Sequence, residues 1–174
     1  CDEWRERMLK RIEAERPALV VISSASQQVD PARWQAAAAR TAQRLQAAGA
    51  RQLWVRDTPA PGFNGPRCLA RARWQGHADF AEICSFDRDK VMARTRPIYD
   101  AERSGVAQLP DVRWLDLTPE ICPEQRCSLW RAGRPLYSDG NHIAASWAAQ
   151  QSVRFAQMLE GWPLGPAAAS PPLK

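Results

Sequence analysis

The chain has 174 residues, 45% of them hydrophobic and 25% charged, and a net charge of +5. That length suffices for one domain with a sizeable core. The longest purely apolar run is six residues, "PALVVI", far short of the roughly 20 that span a bilayer. The positive charge is mostly arginine, spread along the chain without a basic–aromatic block or nucleic-acid motif; this excludes a nucleic-acid partner. A solvated arginine-rich surface explains the charge, with attraction to an anionic surface such as lipopolysaccharide or capsule as the weaker option.

The chain opens with "CDEWRERMLKRIEAERP", in which Trp4, Met8 and Ile12 recur at helical spacing until Pro17 stops the pattern. It starts at Cys1 inside that pattern, without an initiator Met or signal peptide. The expectation is therefore a piece of a longer or processed protein. "ALVVIS" is short, continuous and β-branched and predicts a buried strand. Asp30-Pro31 predicts an N-cap and first helical residue, opening a helix with Trp34, Ala38, Leu45 and Ala48 on one stripe and Gly49 at its end. "QLWVR" predicts a second buried strand, "DTPAPGFNGPRC" a Pro/Gly-rich loop, and residues 68–104 a mixed helical region. "VRWLDL" predicts a third strand, and "CSLWRAGRPLYSD" a hairpin turning at Ala132-Gly133. A last amphipathic helix is expected over 143–159 with Trp147, Ala148, Phe155 and Leu159 inward, and residues 162–174 read as a disordered Pro/Ala-rich tail.

Strands alternating with helices predict an α/β architecture with a central parallel sheet, here over residues 1–161. In such sheets ligands bind beyond the carboxyl ends of the strands. Chemistry is therefore sought in the loops after "ALVVIS", "QLWVR" and "VRWLDL".

There are five cysteines. Cys122 and Cys127 bracket "PEQR", a loop short enough for a disulfide to close, and Cys68 and Cys84 bracket a longer one. Buried free thiols are the competing reading. A metal site calls for Cys-x-x-Cys or Cys/His clusters, and the chain has neither. Disulfides place the domain outside the cytoplasm, most simply in a periplasm. Cys1 is left over, and its partner is expected upstream if it has one.

One of the two histidines, His142, lies in "YSDGNHIAAS", three residues after Asp139. The intervening Gly140-Asn141 turn brings the Asp139 carboxylate within reach of the imidazole Nδ1. That pairing fixes the tautomer, stabilises an imidazolium and leaves Nε2 free to take a proton from a hydroxyl. The competing reading has Asp139 capping the next helix and His142 as an ordinary surface residue. His77, in "RWQGHADF", has only Asp79 nearby in sequence.

The segment "DLTPEICPEQRCSLWRAGRPLYSDGNHIAASWAA" resembles the C-terminal end of SGNH (GDSL-like) hydrolase domains, and more narrowly those fused behind the membrane-embedded acyltransferase family 3 proteins of bacteria. Their G-x-x-x-Y-x-D-x-x-H-(L/I) box is matched by Gly133, Tyr137, Asp139, His142 and Ile143. "VRDTPAPGFNGPRCLAR" is similar to the family's TP-x-P-x-F/D-x-P-x-C-L segment at Thr58, Pro59, Pro61, Pro66, Cys68 and Leu69. The resemblance implies a three-layer α/β/α, flavodoxin-like fold and an Asp139–His142 acid–base pair. It implies no metal or organic cofactor. Its partners would be an upstream transmembrane acyltransferase domain, an acyl donor and a surface polysaccharide acceptor, with the domain periplasmic and the whole an O-acyltransferase working through a serine ester.

Two departures qualify it. The family's nucleophilic serine lies in a Gly-Asp-Ser motif, which this sequence lacks; the expectation is that the serine and the first strand lie upstream. Where the family offers an oxyanion-donating Asn, the chain has "SSASQQ", leaving Ser24, Gln27 or a backbone N–H as candidates. A missing donor costs on the order of 3 kcal/mol of transition-state stabilisation. Three other readings stand beside the acyltransferase. One is a stand-alone secreted carbohydrate esterase. A second is a non-catalytic carbohydrate-binding relic, although Trp4, Trp34 and Trp54 fall on core stripes. The third is a glycoside hydrolase using Asp57 and Asp116, which end strands.

Overall fold

The computed structural model describes residues 2–25 and 29–162. Cys1, Ser26, Gln27 and the expected tail from 163 onward lie outside the described residues. In chain order the elements are α1 (Asp2–Glu15), β1 (Leu19–Ser23), α2 (Pro31–Ala47), β2 (Arg51–Val55), α3 (Gly65–Trp74), α4 (Phe80–Ile83), β3 (Phe86–Asp87), α5 (Arg88–Val106), β4 (Val112–Leu115), α6 (Thr118–Ile121), β5 (Arg126–Cys127), β6 (Trp130–Arg131), β7 (Arg134–Pro135), α7 (Ala145–Ala148), a 3-10 turn (Ala149–Gln151) and α8 (Ser152–Leu159). They divide into two compact units.

Among the described residues the first unit spans 2–25, 29–56, 97–115 and 159–162. Its sheet is parallel, in the order β1-β2-β4. Leu19 is in register with Arg51, and Gln52 with Val112. The fold class expected from the strand–helix alternation is therefore present: a mixed α/β chain with a central parallel sheet. Asp30 caps α2 as anticipated, its carboxylate accepting from Arg33 N at 2.8 Å, and Gly49 follows the helix end at φ +82°. Ala38 and Ala42 of α2, Trp54 of β2 and Val106 of α5 form the apolar centre, with Ile22, Leu109, Val112 and Trp114 against it. Small residues bring α2 and α5 together: a Cβ on Gly105 would lie 2.5 Å from Gln35 O. The buried Gln52 amide is satisfied, donating to Ala42 O and accepting from Trp54 Nε1, as a buried polar group requires.

Two expectations fail in this unit. "ALVVIS" is not a buried strand: Val21 is 51% exposed, because β1 is the edge of the sheet and only β2 pairs with it among the described residues. Nor is Trp4 a core residue: it is 62% exposed, and the buried residue of α1 is Leu9. Trp54, by contrast, is buried as its stripe suggested.

The second unit holds residues 57–96 and 116–158, the segments that follow β2 and β4 in the chain. It is built from short pieces. α3 starts at Gly65, inside the stretch expected to be loop, because Asn64 caps it (Oδ1 accepts from Arg67 N at 2.9 Å) and Pro66 sits in its first turn. β3 pairs antiparallel with β5, a strand pair that the helical reading of residues 68–104 missed. β6 and β7 form the expected hairpin, with Ala132 and Gly133 both at positive φ (48° and 77°) in its turn. Cys68–Cys84 and Cys122–Cys127 are both disulfides. The last helix is not continuous from Ile143: pairing of Ile143 with Tyr137 and the Ala144 N–H donated to Leu136 O hold that end extended, so helix begins at Ala145 and is interrupted by the 3-10 turn. Trp147 is buried there, Ala148 is exposed, and Phe155 lies half-buried.

Candidate active site

Residues 136–144 form a small closed loop. Leu136 N–H donates to Leu129 O, Tyr137 bridges Ile143, and Ser138 N–H donates to His142 O at 2.8 Å. Five residues, 138–142, make the bend. Within it the Asp139 carboxylate uses both oxygens. Oδ1 accepts from the backbone N–H of Asn141 at 2.9 Å and of His142 at 2.8 Å. Oδ2 lies 2.7 Å from His142 Nδ1. Asp139 therefore caps the turn and not the next helix: one oxygen organises the turn and the other holds the ring. The next helix carries its own N-cap at Ala144.

The electrostatics follow from those donors. The Asn141 and His142 N–H groups, and then the imidazole itself, lower the Asp139 pKa to about 2. An ionised carboxylate only accepts, so Nδ1 carries the proton and Nε2 keeps a lone pair. His142 is 72% exposed at its side chain, leaving Nε2 open to an approaching hydroxyl.

The upstream segment "DTPAPGFNG" braces this turn. Tyr137 is fully buried, stacks edge-on against Phe86, and donates its hydroxyl to Pro59 O. Burial is the main cause that pushes the Tyr137 pKa up, with Asp57 adding and Arg131 opposing. Thr58 Oγ1 donates to Asn141 O at 3.3 Å, and Gly65 N–H donates to Asp139 O at 3.2 Å. A Cβ on Gly65 would sit 3.0 Å from Leu129 and 3.7 Å from Asp139 O, which accounts for a glycine there. These bracing roles of Thr58, Pro59 and Gly65 were not anticipated from the residues alone; the available signal was their Pro/Gly spacing before a capped helix.

The other sequence candidates are placed differently. His77 Nδ1 is 4.0 Å from Asp79, and both side chains are exposed. Asp116 accepts from Thr118 N at 2.8 Å at the start of α6. Ser24 follows β1 in the sheet unit. Among the described residues no group of three or more His, Cys, Asp or Glu side chains is placed to hold a metal ion, and no helix is long and apolar enough to cross a membrane.

Residues 1–157 match the family model of the SGNH domain fused to AT3 domains. No curated protein matches the chain. Among solved structures, the periplasmic domain of a lipopolysaccharide acetyltransferase from Salmonella ser. Paratyphi A is similar, with a TM-score of 0.53 at 12% identity, a likeness of fold. The match covers 79% of this chain and 55% of that one, so this chain spans about half the length of the solved domain. With nine-tenths of its length inside the family match, this chain belongs to the SGNH domains that are fused to AT3 domains.

Proposed function

We propose that this domain is the periplasmic part of a bacterial membrane O-acyltransferase, and that the intact protein moves an acyl group, acetyl foremost, to a hydroxyl of a cell-surface polysaccharide. A serine hydroxyl attacks the acyl carbonyl of the donor, loses its proton to His142 Nε2, and becomes an ester as the donor's leaving group takes that proton. The acceptor hydroxyl then repeats the cycle on the ester, releasing the serine. Asp139 fixes the imidazole tautomer and stabilises the imidazolium. The route calls for no metal or organic cofactor. Its partners are the membrane-embedded acyltransferase domain, an acyl donor and the polysaccharide.

The observation that carries this reading is the 2.7 Å contact between Asp139 Oδ2 and His142 Nδ1, in a turn where the other carboxylate oxygen is held by two backbone N–H groups. The two disulfides fit an oxidising compartment. The nucleophile is assigned to a Gly-Asp-Ser segment outside these 174 residues, since none occurs among them. The exposed apolar edge at β1 suits an additional strand from the same segment, because an uncovered apolar edge is an unfinished pairing surface.

An ester-hydrolysis assay tests the assignment of the nucleophile. The 174-residue chain alone is expected to show background rates and the complete protein to turn over. Robust turnover by the chain alone, abolished by Ser24→Ala, would place the nucleophile inside it and contradict the proposal.

A further inference from the structure

Beside the braced turn the second unit carries a groove of about 530 Å³ lined by Phe63, Arg67, Cys68, Arg71, Gln75 and Ile83 with their neighbours, a volume in the usual range for small-ligand sites. Three features give it chemistry. Arg67, Arg71 and Gln75 recur every four residues, so they project from one face of α3 and the end that follows it. Neither the Arg67 nor the Arg71 guanidinium has an ion pair or hydrogen bond among the described residues, although both line the same groove. Like charges four residues apart destabilise a helix, so this pair gains most when an anion sits between them. Phe63 and Ile83 are exposed apolar surfaces at the same groove.

The groove adjoins the turn that holds Asp139 and His142. Phe63 O is 3.6 Å from the position of a Cβ on Gly140, and Gly65 N–H bonds Asp139 O. The Cys68–Cys84 disulfide ties α3 to the end of α4, next to Ile83, and so fixes the groove's width.

We infer that this groove is the acceptor subsite and that it takes a sugar bearing an oxyanion, a carboxylate or a phosphate. The guanidinium forks of Arg67 and Arg71 bind the oxyanion, as planar bidentate donors do. Phe63 and Ile83 cover the apolar face of the ring, and Gln75 meets a hydroxyl. The inference rests on the acyl-transfer reading above, and it specifies the acceptor class.

The test uses the complete protein and three acceptors of equal length: a neutral oligosaccharide, one with a uronic acid and one with a sugar phosphate. Wild type is expected to prefer one or both acidic acceptors, and which one it prefers separates carboxylate from phosphate. In the double variant Arg67→Gln/Arg71→Gln, KM for that acceptor should rise on the order of tenfold or more, the loss of charged hydrogen bonds. Its kcat should stay within about twofold, since an interaction equal in ground and transition states moves KM alone. Arg103→Gln, an exposed arginine of the first unit, removes a charge elsewhere and should change neither. An unchanged KM in the double variant, or a wild type that prefers the neutral acceptor, overturns the inference. Calorimetric binding of the acidic oligosaccharides to His142→Ala separates it from the acyl-transfer reading. Binding weakened by the two arginine changes supports the subsite even if His142 proves dispensable for transfer. Binding that they leave unaffected overturns it, as does arginine-dependent binding to phosphatidylglycerol vesicles without any saccharide binding.

Discussion

The two units of the chain are stabilised by different physics. In the sheet unit, aromatic and aliphatic groups do the work: Trp54 lies against Trp114, Tyr99 meets Trp114 edge-on, and Ala38, Ala42 and Val106 close the centre. In the unit that holds Asp139 and His142, the elements are mostly two to four residues long, and two disulfides and a buried tyrosine hydroxyl tie them together. A sheet with a continuous apolar interior needs no covalent ties. The second unit also buries side chains, Ile121, Leu129, Leu136 and Tyr137 among them, but it draws them from short segments, and its cross-links add to that burial by raising the free energy of the unfolded chain. The lesson is that a turn built among short segments is ordered by cross-links and individually satisfied backbone groups as well as by the side chains packed against it.

Breaking each kind of support should sharpen the contrast. Trp54→Ala should have the largest effect, lowering stability by about 3–5 kcal/mol in chemical denaturation, the cost of emptying a packed aromatic site. Replacing Cys68 and Cys84 by serine should cost about 3 kcal/mol, and Cys122 with Cys127 about 2 kcal/mol, because loop closure favours the 16-residue separation over the 5-residue one. Hydrogen exchange should show that loss in residues 57–96 and 116–158 with the sheet amides still protected; equal loss in both units would erase the distinction. Tyr137→Phe leaves the Pro59 carbonyl without its donor and should cost about 1–2 kcal/mol, checked by the same denaturation.

The smallest effect is that of acid on the turn. The Asp139 pKa is depressed from 3.8 to about 2, so the carboxylate stabilises the fold above pH 4, and that contribution is lost as pH falls through 2. The exposed site keeps it small. Between pH 8 and pH 4 Asp139 stays ionised, so its carboxylate should add no step to the transfer-rate profile in that range. A rate profile with an additional step near pH 4 would show that the carboxylate is not held as described.

Much of this was legible in the residues. The Asp30-Pro31 start and Gly49 stop of α2 were written in their cap chemistry, and the Ala132-Gly133 turn in its need for positive φ. The proximity of Asp139 to His142 followed from a two-residue turn between them. The rest depends on what lies far away in sequence. "ALVVIS" has the composition of a buried strand, and nothing local reveals that β1 is an edge. Trp4 shares a stripe with Met8 and Ile12, yet α1 buries only Leu9, because a stripe marks a face and not how much of it a neighbour covers. Ile143 reads as helix until its pairing with Tyr137 is known. The bracing of the turn by Thr58 and Pro59 spans some eighty residues and leaves no periodic trace.

The central claim is that His142, oriented by Asp139, performs the proton transfers of acyl transfer. The most direct measurement is acyl transfer to polysaccharide by the complete protein carrying His142→Ala, at matched protein levels, beside His77→Ala. Loss of transfer by roughly a thousandfold or more in His142→Ala, with the fold intact and His77→Ala within a few fold of wild type, is the predicted result. Near-normal transfer by His142→Ala would reduce the turn to a structural motif and contradict the account.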